Sequence, residues 1–106
     1  MVKRGETWLA TLDPTVGSEI RKTRPCVVVS PPEMHDQLRT VIVAPMSTRS
    51  RAAPFRPPIM FAGKRGFVVL DLFRALDKSR LVKRLGKSTP STIASVLGAL
   101  RAVFAE

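Results

Sequence analysis

The stretch TPSTIASVLGALRAVF, residues 89–104, decides the fold, because here the period of the chain changes. Thr89 can cap a helix and Pro90 is tolerated at the first helical position, where no backbone donor is needed. Ile93, Val96, Leu97, Leu100, Val103 and Phe104 then recur at helical spacing, which predicts one amphipathic helix of about four turns. Upstream the pattern is short and β-like. Glu6–Leu12 alternates, with Trp8, Ala10 and Leu12 on one face and Thr7 and Thr11 on the other. Pro25–Ser30, Thr40–Pro45, Pro58–Ala62, Gly66–Leu72 and Leu81–Leu85 are further strand candidates. Pro25 is read as opening its strand and GKRG (63–66) as a tight turn. For Leu81–Leu85 the pattern leaves the buried face open. Five or six short strands and a final helix predict a mainly β (α+β) fold. The architecture expected is a small, partly open antiparallel β-barrel, with the helix over one face. Small sheets with exposed edges often dimerise.

The chain has 106 residues, 44% of them apolar, which suits one globular domain over 1–106 and not a disordered tail. No apolar run approaches the ~20 residues of a membrane helix. The opening MVKRGETW lacks an apolar segment after its cations, so a cytoplasmic protein is expected. The single cysteine, Cys26, lies in the apolar run PCVVVS and is read as inert packing.

Eighteen Lys and Arg against eight Asp and Glu give a formal charge of +10. Such a charge attracts anions and speeds their association. The cations cluster in turns, at 21–24, 49–56, 64–65 and 78–87, rather than along an amphipathic helix. This favours nucleic acid or an acidic partner chain over a membrane surface. With one His, one Cys and dispersed carboxylates, no metal site is expected. Neither GSE nor GKRG has phosphate-loop spacing, and no cofactor is expected. His35, in PPEMHDQ, is read as an exposed loop histidine.

DPTVGSEIRKTRP (13–25) is long for a hairpin connection and carries three cations. At its end Arg24 precedes a proline and is biased to extended backbone at the mouth of a strand. Ser47 follows TVIVAPM at another strand's end. A guanidinium fork and a hydroxyl converging on one point suit a phosphate. Each has an ordinary alternative, a solvated arginine and a turn serine.

RGETWLATLDPTVGSEIRKTRPCVVVS (4–30), TVIVAPMS (40–47) and VVLDLFRALDKSRLVKRLG (68–86), ending in the capped helix, together resemble the MazF/PemK-type toxins of bacterial toxin–antitoxin modules. The resemblance covers nearly the whole chain. It implies a compact SH3-like barrel of mixed sheet, of the CcdB/PemK kind, usually a homodimer. It also implies metal-independent cleavage of single-stranded RNA at short motifs, blocked by a cognate antitoxin with an acidic and apolar tail. By motif position Arg24 matches the family's catalytic arginine. Ser47 stands where a catalytic threonine is usual, and Glu19 matches an acid that some members place near the scissile phosphate. Two positions depart from the pattern: Leu72 stands where Gln is common, and Thr23 where some members have His.

Without a metal, the simplest route is attack by the RNA's own 2′-OH, leaving a 2′,3′-cyclic phosphate and a 5′-OH. The step needs a base, a stabiliser of negative charge and an acid. Arg24 suits the second role; an arginine stays protonated and makes a poor base. Glu19 is the first candidate for the base and His35 a distant second. Lys22, Arg49, Arg51 and Arg74 are candidate phosphate contacts, with Thr23 and Thr48 beside them. Trp8 is assigned to the core rather than to base stacking. The rival readings are a gyrase poison of the same fold, a non-catalytic nucleic-acid-binding SH3-like module and a decayed toxin.

Overall fold

In the computed structural model, residues 1–12 and 23–106 are described. Among the described residues seven strands and two helices follow one another: β1 (Glu6–Thr11), β2 (Thr23–Val28), α1 (Pro32–His35), β3 (Thr40–Ser47), β4 (Pro58–Phe61), β5 (Lys64–Val68), β6 (Arg74–Asp77), β7 (Leu81–Lys87) and α2 (Pro90–Phe104). Short 3-10 turns occupy Leu70–Leu72 and Lys78–Arg80. The sheet order is β4-β5-β3-β2-β1-β7, with β6 beside β3. Every pairing among the described strands is antiparallel, so the sheet is not mixed.

β3 is the central strand. One edge pairs with β2 over Cys26–Val28. Its other edge pairs first with β6, over Thr40–Val43, and then with β5, at Met46 and Ser47. One strand serving two partners in succession has to bend, and this curls the sheet into a half-barrel. Two register shifts in the β1–β7 pairing add to the twist.

Because side chains alternate along a strand, each face carries its own core. Val27, Val29, Ala44, Met46, Ile59, Val68 and Leu70 meet Val96 of α2 on one face. Ala10, Leu12, Cys26, Val28, Val41, Val43 and Leu76 form the other, with half-buried Trp8 packed against it. Trp8 also donates its indole N–H to Glu6 Oε1 at 3.0 Å. Glu6 is 5% exposed, yet it accepts from Trp8, from the Lys3 backbone N–H and from Arg84, so the carboxylate is well partnered. Burial pushes its pKa up; the hydrogen bonds and Arg84 outweigh that and hold it below the ordinary range. Gly5, at φ +91°, lies where a Cβ would stand 2.9 Å from Ile93, so a residue without a side chain lets α2 close onto β1.

The capped helix forms as expected: Thr89 Oγ1 accepts from the Thr92 N–H at 3.2 Å, and Pro90 opens the first turn. The stripe is buried only in its first turns, however. Val103 and Phe104, in its last turn, are exposed, and Phe104 meets Phe73 with ring centres 5.9 Å apart.

Several sequence expectations change. The β4–β5 turn is Ala62-Gly63, with φ of +52° and +76°, and not GKRG, whose Lys64–Gly66 lies in β5. Positive φ at both positions matches the twist of a two-residue hairpin. The apolar run 66–72 is divided between β5 and a 3-10 turn, and β6 and α1 are additions. β7 is a largely exposed edge strand. β2 begins at Thr23, two residues before Pro25. His35 is fully buried: its ring nitrogens lie 2.9 Å from Ser30 Oγ and from the Val2 carbonyl. No helix among the described residues is long and apolar enough to cross a membrane.

Candidate nucleic-acid site

Two prolines open the cleft that matters. The β2–β3 ladder ends at the pair Cys26↔Pro45, and Pro25 precedes it on β2. Neither proline offers an N–H, so pairing stops and the start of β2 is free to part from the end of β3. Between them lies a cleft of about 410 Å³, lined by Thr23, Arg24, Pro25, Met46, Ser47, Thr48, Arg49, Phe61, Ala62 and Lys64. The β2 start and the β3 end form two walls, and the β4–β5 hairpin forms the third.

Arg24 lies across the gap. Its Nη1 donates to the Met46 carbonyl at 3.3 Å, which carries the guanidinium to the residue before Ser47. Its Nε is buried and has no acceptor among the described residues. Among the described residues the guanidinium thus has one long bond, from Nη1, and one orphaned donor, Nε. A buried donor without a partner costs about 1–3 kcal/mol. Arg24 lines the cleft, and a guanidinium fork matches phosphate geometry.

Ser47 ends β3, and its Oγ accepts the Arg49 N–H at 3.1 Å. That bond occupies an acceptor position and leaves the hydroxyl proton free to donate. Ser47 is held from behind by β5. A Cβ on Gly66 would lie 2.8 Å from the Ser47 carbonyl oxygen. The loop after Ser47 is tied down in turn: Arg56 grips Asp71 with two bonds, at 3.0 and 2.9 Å, and also donates to the Arg51 carbonyl. The bonds from Arg56, larger than the opposing effect of partial burial, hold the Asp71 carboxyl below its ordinary range.

Three cations, Arg24, Arg49 and Lys64, line the cleft, and no carboxylate does among the described residues. No cluster of His, Cys, Asp or Glu suited to a metal occurs among those residues. The cleft therefore offers a positive, apolar-floored groove with forked and hydroxyl donors, as a phosphodiester requires.

Of the residues singled out from sequence, Thr23, Arg24, Ser47, Thr48 and Arg49 come together here. Arg51 does not line the cleft; it is exposed in the following loop. Arg74 does not line it either; it lies on β6 opposite Val43. Arg24 and Arg74 both act on the Cys26 thiol, but burial outweighs them and pushes it up to about 12. Glu19 and Lys22 lie outside the described residues. Leu72 stands in the 3-10 turn away from the cleft lining, exposed. His35 is removed as a base candidate, since Ser30 and Val2 occupy both nitrogens in the core.

Lys64, Phe61 and Gly66 escaped the sequence reading. Lys64 stood in a recognised cation cluster, but assigning GKRG to a turn separated it from the site. Phe61 and Gly66 carry no local signal of function; only the fold-back of the hairpin brings them to Ser47.

Comparison with known proteins follows the same lines. A family described as PemK-like, MazF-like toxin of type II toxin-antitoxin system matches residues 3–104. Endoribonuclease PemK of Escherichia coli is 35% identical over 109 residues, spanning 97% of this chain and 82% of PemK. The crystal structure of MazF (Form-I) from Deinococcus radiodurans superposes with a TM-score of 0.80 at 26% identity, covering 96% of this chain and 94% of that one. An endoribonuclease from a mycobacterial species, in complex with its cognate antitoxin, shares the fold at a TM-score of 0.79 and 23% identity, covering 96% and 93% of the two chains.

Proposed function

The chain belongs to the PemK-like, MazF-like toxin family of type II toxin–antitoxin systems, and from that membership we propose that it is an endoribonuclease that cuts single-stranded RNA at a short motif without a metal. The observation that carries the reading is the cleft itself. Arg24, with an unused donor, and Ser47, with a free hydroxyl proton, share one groove lined by cations and no carboxylate.

In the proposed reaction the 2′ oxygen attacks the adjacent phosphorus. The O2′–P bond forms, the P–O5′ bond breaks, and a 2′,3′-cyclic phosphate and a 5′-OH result. Arg24 meets the charge that builds on the phosphoryl oxygens. Ser47 donates its one hydroxyl hydrogen bond to one of those oxygens, and O5′ takes its proton from water. Glu19, five residues before Arg24, is the candidate base for the 2′-OH proton. Thr23, Thr48, Arg49 and Lys64 position the chain around the scissile phosphate, and Lys22 extends the same basic run. Arg51 and Arg74 are left as contributors to the long-range field.

Incubation with a long, weakly structured RNA in EDTA, with mapping of cut sites and end groups, tests this. Cuts at one short motif with cyclic-phosphate ends are expected. Intact RNA beside a positive gyrase-poisoning assay would overturn the reading in favour of a non-nucleolytic toxin of this fold. Arg24→Ala should lower the cleavage rate at least about 10²-fold, the usual loss for one oxyanion donor.

A cognate antitoxin is the proposed protein partner, given the antitoxin complexes of the mycobacterial and Deinococcus relatives. A homodimer is the proposed assembly. The exposed apolar residues Leu72, Phe73, Val103 and Phe104 support it, and light scattering on the purified protein tests it.

A further inference from the structure

The β4–β5 hairpin has a second cleft behind it. Phe61 and Ala62 form one wall of the Arg24 cleft and also one wall of a neighbouring cleft of about 350 Å³. The second cleft lies between β4 and β7, the two ends of the sheet order, where the half-barrel fails to close. Opposite the shared wall stand Thr7, Leu85, Lys87 and Ser88. Two features mark it as more than a gap. Lys87 is exposed, and no carboxylate lines the cleft among the described residues. Ser88 Oγ is buried and has no hydrogen-bond partner among them. An unpartnered hydroxyl at a cleft wall is one χ1 rotation from a new direction, and it can donate and accept.

We infer that this cleft is an extended subsite of the RNA-binding groove, taking the nucleotide next to those held at Arg24 and Ser47. The inference rests on the proposed ribonuclease reading and deepens it. The strand crosses the Phe61–Ala62 ridge, where the half-buried Phe61 ring offers a stacking surface for a base. Lys87 then meets the next backbone phosphate, and Ser88 bonds to a sugar or base edge. One cation, Lys87, beside apolar Leu85 and Phe61 suits a nucleotide, with its charged backbone and flat base.

Two labelled RNA oligonucleotides test this, one just long enough to contain the cut motif and one extended by two or three nucleotides on each side. The extended oligonucleotide is expected to have a KM about 3- to 10-fold lower with the wild-type chain. Lys87→Ala and Ser88→Ala should each remove most of that advantage and leave cleavage of the short oligonucleotide unchanged. Ser88→Ala removes an unpaired buried hydroxyl, so its fold should be at least as stable, and thermal melting checks this. Equal effects on both oligonucleotides, or none on either, overturn the subsite while leaving the ribonuclease reading intact. Failure to cut either RNA overturns both. Weakened inhibition by an antitoxin tail peptide, with the length dependence of RNA unchanged, assigns the cleft to the peptide and overturns the proposal.

Discussion

Gly66→Ala tests the support behind the site. The added Cβ would stand 2.8 Å from the Ser47 carbonyl oxygen, 3.3 Å from the Ser47 carbonyl carbon and 3.4 Å from the Thr48 Cα. All three neighbours are backbone, so no side chain can swing away. Relief requires β5 and the end of β3 to part by about half an ångström, since ordinary contacts begin near 3.4 Å. Overpacking of this kind costs about 1–3 kcal/mol. Replacing glycine by alanine in a strand returns roughly 0.5–1 kcal/mol, because the unfolded chain loses freedom. The net is a destabilisation of about 1–2 kcal/mol, or a Tm lower by roughly 5–12 °C for a domain this size. The displaced atoms belong to Ser47, so activity should fall further than stability explains. A shift of half an ångström is worth about 10-fold, given that 1 Å can cost 10²-fold. The assay is thermal unfolding together with RNA cleavage, well below the lower Tm. Gly98→Ala is the control: nothing lies within 4 Å of its Cβ, and it sits in α2. That change should stabilise by about 1 kcal/mol and leave cleavage alone. If Gly66→Ala melts and cleaves like the wild type, β5 does not hold Ser47 in place and the reasoning fails.

Ser47→Ala should lower kcat about 10-fold or more with Tm nearly unchanged, while Ser47→Thr keeps the hydroxyl and most of the rate; equal rates for all three would leave Ser47 as a turn residue only. Glu6 should make the fold sensitive to acid. Its folded pKa is depressed, so its contribution is complete above the unfolded carboxylate value and is lost as pH falls through the folded one. Tm should therefore drop on acidification below about pH 5, and Glu6→Gln should flatten that slope; Asp71, also depressed, leaves a residual slope. Cys26, buried and pushed up to about 12, should resist iodoacetamide at pH 8 until the protein unfolds, and rapid labelling of the folded protein would contradict its place in the core.

Local chemistry made some features legible without a structure. Thr89-Pro90 can begin a helix in almost any context, since the cap and the missing N–H act within one turn. The β-branched runs at 25–30 and 40–45 could hardly be other than core strands. Arg24 and Ser47 stood out because a proline and a strand end restrict their backbones. His35 misled, because polarity in a Pro-rich stretch marks a surface loop only when no buried partner awaits it. Ser30 and Val2 are such partners, distant in sequence or hidden in an apolar run.

The sequence by itself determined the period of the final helix and of the longer strands, the basic charge and the family to which the ordered motifs belong. These depend on neighbours a few residues apart. Tertiary structure decided what the cleft contains. The parting of β2 from β3 at two prolines, the return of Phe61 and Lys64 on a hairpin, and the contact of Gly66 with Ser47 are all long-range. They arise from the bend of β3 between β6 and β5, and a bend shared among three strands has no signature in any one of them.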